Sequence, residues 1–293
     1  MLGIGASFIS GADSAFAYDT LLASGLQDRY RKFEAVSMAF SSIGGVLASL
    51  AGGLIAAWLG LRATIALQVP LDLFLLAATL LLREPVRHKI VTKSNAIRDV
   101  LRVTTYALHG HREIKWLIMY GAVVGTMTHT VLWLYPLYYQ MVGIPIGWFG
   151  VLGAAQYGAV VLFSMLVNRY EKLGRGVVFT SFIVIGVATY LAMGFRPTVW
   201  LIGAQIGFHF IRAVSDPILK DYVNCLVESD IRATVLSVKS LVQRVLYIGV
   251  GPVIGWVVDA YSLRAALLFS AMLYGGLGAI TLLALRRHRL LGR

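Results

Sequence analysis

Apolar runs of about twenty residues recur along the whole chain, separated by short polar, basic or glycine-containing stretches. A helix rising 1.5 Å per residue needs about 20 residues to cross a hydrocarbon core of roughly 30 Å. Nine segments reach that length, approximately 1–24, 33–58, 61–82, 115–141, 145–168, 176–195, 198–222, 233–258 and 263–285. Membrane strands would read as runs of about ten alternating residues, and the sequence contains none. The pattern predicts an all-α, polytopic helical membrane protein: an N-terminal bundle of three spans over 1–82, a basic connector over 83–114, and a six-helix bundle over 115–293.

Polar positions inside these runs are the candidate chemistry, because ionisable groups in a bilayer usually face a partner or a water-filled path. Gln205, His209, Arg212 and Asp216 fall at intervals that share one helical face. Arg212 and Asp216, four residues apart, are placed to neutralise each other. Such a stripe either walls a cavity for polar substrate or protons, or locks two helices together. Ser237, Ser240, Arg244 and Tyr247 share a face of the eighth span. Arg244 lies about midway, where a permanently protonated group needs an anionic partner or ligand; Asp216 and Asp13 are candidates. Thr126, His129, Thr130 and Trp133 line the fourth span, and His129, which titrates near neutrality, is a candidate proton carrier. Gln156 and Tyr157 add polar groups to the fifth. Asp13 sits mid-span in the first helix and Asp72 in the third. Ser41, Gly45, Ser49 and Gly53, at intervals of four, read as a close-packing face.

Charge refines the topology. The chain is 58% hydrophobic, only 14% charged, and carries +12. If spans alternate, segments 25–32, 83–115, 169–175, 220–232 and 286–293 share one side and hold 20 of the 26 Lys and Arg, against Arg62, Arg196 and Arg264 opposite. That asymmetry makes the basic side cytoplasmic, with residues 83–114 and the C-terminus there and the cell membrane as the expected location. The positive charge is thus topological, and nucleic acid is not an expected partner. In the connector, Ile97, Val100, Leu101 and Thr104-Thr105 suggest a short amphipathic helix on anionic headgroups. His88, His109 and His111 lack an acidic or Cys partner that would complete a metal set, no cofactor is expected, and Cys225 is alone. The first run lacks a basic leader and contains Asp13, so it reads as a span rather than a cleaved signal.

Two regions match at an offset of 202–203 residues. Asp13-Ser-Ala-Phe-Ala-Tyr-Asp19, Asp28-Arg29, Gly52-Gly53 and Leu61-Arg62-Ala63 find counterparts in Asp216-Pro-Ile-Leu-Lys-Asp221-Tyr222, Ile231-Arg232, Gly255 and Leu263-Arg264-Ala265. The second half has three spans before its copy of the pattern, so the repeat implies that about three helices precede Met1 in a complete protein. The charge bias agrees, placing Met1 on the non-cytoplasmic face.

Two repeated halves and a basic central loop resemble a major facilitator superfamily permease, and the resemblance covers essentially the whole chain. Ser10–Asp19 followed by Tyr30-Arg-Lys32 is similar to the family's fourth helix and the loop after it. Glu171-Lys172-Leu173-Gly174-Arg175 is similar to its acidic-basic-x-Gly-Arg loop, and Ser229-Asp-Ile-Arg232-Ala-Thr234-Val-Leu-Ser237 to the start of its eleventh helix. The resemblance implies a two-bundle fold, a cavity-facing Asp13, a peripheral Asp72, and a gating loop in which Gly174 turns tightly while Glu171, Lys172 and Arg175 latch helix ends across the halves. It implies a secondary active transporter moving a small solute by alternating access, with protons as the candidate coupling ion. The alternative is an inactive or partner-dependent remnant of such a permease. An integral-membrane enzyme fits least: no Asp-rich diphosphate motif, Gly-x-Ser-x-Gly or His-Glu-x-x-His element is present.

Overall fold

The computed structural model of the chain describes residues 20–21, 24–26, 30–81, 105, 110–226 and 229–288. Asp13 and nearly all of the connector, with its expected amphipathic helix, lie outside them. The chain divides into two compact units, Met1–Lys93 and Ser94–Arg293, so the division falls inside the expected connector. Among the described residues every regular element is helical, as a bilayer requires: with no water to satisfy backbone groups, each segment must bond internally.

In the first unit α1 (Tyr30–Leu59) and α2 (Leu61–Leu80) pack as a hairpin. Gly60 makes the turn with φ 83°, a left-handed conformation that favours glycine. On the expected packing face Gly53 is buried, and Ser49 returns its hydroxyl to the Gly45 carbonyl at 2.8 Å. No residue of α2 is buried, and exposed Asp72 lies on it.

The second unit contains α3 (Arg112–Met141), α4 (Gly147–Ser164), the short α5 (Val167–Glu171), α6 (Arg175–Phe195), a 3-10 turn (Val199–Gln205), α7 (Ile206–Leu226), α8 (Ser229–Ala260) and α9 (Leu263–Arg287). Helix α3 is its axis, packed against α6, α7, α8 and α9. Apolar burial gives helices in lipid little net attraction, so close packing and interhelical hydrogen bonds matter more. Tyr120 donates to the Phe179 carbonyl at 2.6 Å and Tyr190 to the Met127 carbonyl at 2.8 Å, tying α3 to α6. Thr130 and Tyr274 share a hydrogen bond of 2.6 Å between α3 and α9. Arg264 donates to the carbonyls of Gly194 and Phe195 at 2.9 and 3.0 Å. That places a cation on the last carbonyls of α6, where the helix dipole is negative.

Seven described helices are long and apolar enough to cross a membrane. The segment 198–222 departs from expectation. It is not one α-helix: a 3-10 turn precedes α7, and Arg212, Asp216, Lys220 and Asp221 make α7 too polar to count among the seven. At the junction Gly207 lies against α6 so closely that an added Cβ would come within 2.7 Å of Thr189 Oγ1. The repeat survives in the elements: α2 starts at Leu61 and α9 at Leu263, each following a helix of 30 or 32 residues.

Candidate functional site

Helices α3, α7 and α8 line an open-sided cavity of about 290 Å³. Asp216 lies ten residues before the end of α7, and Lys239 ten residues after the start of α8. The apolar span of α8 begins at Val235, so at 1.5 Å per residue Lys239 stands about 6 Å inside it.

Glycines on α3 make the cavity's contents possible. A Cβ on Gly121 would press on the Lys239 stem at 3.1 Å, and one on Gly125 would overlap the Gln243 carboxamide. Lys239 and Gln243, one turn apart on α8, therefore lie directly against the α3 backbone. Lys239 Nζ donates to Asp216 Oδ1 at 2.7 Å, with the Lys239 side chain 7% and the Asp216 side chain 51% exposed. The other carboxylate oxygen pairs with Lys220 Nζ, also at 2.7 Å.

The anticipated Arg212–Asp216 pair is thus replaced. Both oxygens of Asp216 are held by lysines, and the geometry explains the preference. An acid followed four residues later by a base, as in Asp216–Lys220, is the favourable order along a helix, and Arg212–Asp216 is the reverse. Arg212 lines the cavity, exposed, and among the described residues no carboxylate pairs with it.

The other anticipated residues divide between different surroundings. His129 lines the cavity from α3, with the Tyr247 ring 4.7 Å away and Trp133 Nε1 donating to its Nε2 at 3.4 Å. His209 is buried, its ring 5.8 Å from that of Tyr135, and among the described residues its Nε2 has no hydrogen-bond partner. Gln205, at the end of the 3-10 turn, belongs to a separate chain of bonds. Gln156 Nε2 donates to Tyr139 Oη at 2.6 Å, and Tyr139 Oη donates to Gln205 Oε1 at 2.8 Å. Arg244 is exposed on α8 outside the cavity lining. Its anticipated partner Asp216 is engaged elsewhere.

In the loop before α6, Glu171 ends α5, Lys172 follows it, Gly174 adopts φ 85°, and Arg175 opens α6. The Arg175 guanidinium lies 4.2 Å from the Tyr222 ring of α7, a contact inside the second unit.

Lys239, Gln243 and Tyr139 are the functional candidates that sequence reasoning passed over. One signal was available for the first two: Lys239 and Gln243 lie four apart, one helical turn, inside an apolar span that begins at Val235.

The family model described as Major Facilitator Superfamily matches residues 2–247. No curated protein matches the chain. Among solved structures, the fold is similar to that of a bacterial homolog to the human lysosomal transporter Spinster, in an inward-facing and unoccupied conformation. The TM-score is 0.62 at 15% sequence identity, covering 88% of this chain and 71% of that one; the likeness is one of fold. The match over residues 2–247, on a helical scaffold with a polar cavity, makes this chain a member of the Major Facilitator Superfamily of membrane transporters.

Proposed function

We propose that the chain is a secondary active transporter that carries a small anionic solute by alternating access, bound in the cavity between α3, α7 and α8. The observation that supports this is the charge of the lining: Arg212 and Lys239 against the single carboxylate of Asp216. A cation left over among membrane-spanning helices is costly unless a ligand or water meets it. A guanidinium recognises a carboxylate or phosphate through two parallel hydrogen bonds, and Gln243 and Ser215 add neutral donors beside it. Protons are the proposed coupling ion. His129, whose imidazole lines the same cavity, is the proposed proton carrier. Differential binding in the two orientations of the carrier would then set direction. The basic side of the chain is proposed as cytoplasmic in the cell membrane, on the asymmetry of Lys and Arg between loops.

The test is flux into proteoliposomes, using labelled carboxylates and phosphate esters of up to about ten heavy atoms under an imposed pH gradient. Arg212→Gln is expected to lower flux at least roughly tenfold at equal reconstitution, the loss of one charge-assisted bond of about 1.5–3 kcal/mol. Arg286→Gln, outside the cavity, should leave it unchanged. Full flux of anions in both Arg212→Gln and Lys239→Gln would refute the site.

A further inference from the structure

A second cavity lies away from the first, where α3 begins and α9 ends, with a volume of about 510 Å³. Its rim is cationic. Arg112 and Lys115 project from the first turn of α3, and Arg287 and His288 come from the end of α9. Among the described residues no carboxylate lines it, and neither Arg112, Lys115 nor Arg287 forms an ion pair. Arg112 and Lys115 stand in the first turn of α3, where the helix dipole is positive and favours anions; Glu113 in the same turn answers part of that charge but lies outside the groove lining, and the preceding His111 gives no side-chain cap. Below the rim the cavity turns apolar. Trp116, Ile280 and Leu283 form its lower part, with Ile280 58% and Leu283 65% exposed on the flank of α9.

We infer that this groove binds an anionic phospholipid, its phosphate among Arg112, Lys115 and Arg287 and one acyl chain along Ile280 and Leu283. The cationic half alone would suit any phosphate. The apolar half, continuous with a helix face that must meet lipid, selects an amphiphile, because a free phosphate would leave it unused. The indole of Trp116 sits at the boundary between the two halves, the level at which tryptophan collects in membrane proteins. Its ring lies 5.7 Å from Lys115 Nζ, which holds that ammonium near the boundary. Basic pockets between helix ends are a recurring way to hold anionic headgroups. The inference stands independently of what the central cavity carries.

The experiment uses the purified full chain in a neutral detergent, and counts lipids retained in native mass spectra on titration with phosphatidylglycerol, phosphatidylcholine or inorganic phosphate. One phosphatidylglycerol is expected to remain bound under conditions that strip phosphatidylcholine. Each removed charge should weaken it roughly fivefold, so Arg112→Gln/Lys115→Gln/Arg287→Gln should weaken it on the order of 100-fold. Arg286→Gln, beside the groove but outside its lining, should leave affinity within about twofold. Should the triple variant fail to fold, Ile280→Asp keeps the rim and spoils the acyl strip, and should also lose the lipid. Three results would overturn the inference: equal retention of phosphatidylcholine, displacement of the lipid by millimolar inorganic phosphate, or an Arg286→Gln loss matching the triple variant.

Discussion

Removing the Asp216 carboxylate tests the polar centre of the second unit most directly. In Asp216→Asn the side chain keeps its shape but Lys239 loses the one carboxylate that pairs with it among the described residues. Lys239 is 7% exposed, with its stem against Gly121, so it cannot swing to water without unpacking α8 from α3. Breaking a fully buried pair costs about 3–5 kcal/mol. Here the carboxylate is 51% exposed, so water already screens part of the attraction, and about 2–3 kcal/mol is the expected cost. Lys220→Ala removes the other partner of the same carboxylate, but that pair is half-exposed on both sides and should cost under about 1 kcal/mol. Asp216→Asn combined with Lys239→Met should recover most of the loss, since a buried pair can often be replaced by apolar groups at little cost. The assay is a double-mutant cycle on unfolding midpoints of the purified protein, titrated with denaturing detergent. A coupling of about 2 kcal/mol is expected between positions 216 and 239. If Asp216→Asn proves no worse than Lys220→Ala, or the coupling falls below about 0.5 kcal/mol, Lys239 is not held by this carboxylate and the reasoning fails.

Three further outcomes follow by the same unfolding assay. Gly278→Ala would place a Cβ within 2.7–2.9 Å of three atoms of Ile183, a stiff β-branched neighbour, and should cost about 1–3 kcal/mol. Gly276→Ala, which meets open space, should be neutral or slightly stabilising. Tyr139→Phe strips the hydroxyl that joins Gln156 to buried Gln205, and should cost about 1–3 kcal/mol; Tyr157→Phe, on the exposed side of α4, serves as the comparison. Arg264→Ala uncaps the Gly194 and Phe195 carbonyls and should cost about 1.5–3 kcal/mol, with hydrogen exchange rising first at the α6 end. Arg264→Lys, which cannot span both carbonyls in the same fork, should recover only part of it.

Residues 115–141, 176–195 and 263–285, read as spans from hydropathy, are helices over 112–141, 175–195 and 263–287. A long apolar run has few ways to satisfy its backbone in lipid, so composition alone dictates helix. Glycine turns were legible for a similarly local reason, because the sharp reversal at Gly174 needs φ near 85°. The offset of 202 residues also surfaced as matching helix starts at Leu61 and Leu263, and residues 2–247 place the chain in the family its loops resemble.

Partnership among the charges was a different matter. Four polar residues at helical spacing suggested a single stripe. Yet Gln205 ends a 3-10 turn, with three residues per turn instead of 3.6, and the α-helix carrying the other three begins only at Ile206. The sequence by itself determined that the long apolar runs over 115–141, 176–195 and 263–285 are helices, because hydropathy and backbone satisfaction are local. Only the tertiary structure decided that Asp216 answers to Lys239 and Lys220 and leaves Arg212 to the cavity. That choice depends on how far each helix is rotated and how deep it sits beside its neighbour, which residues 23 apart in sequence do not encode.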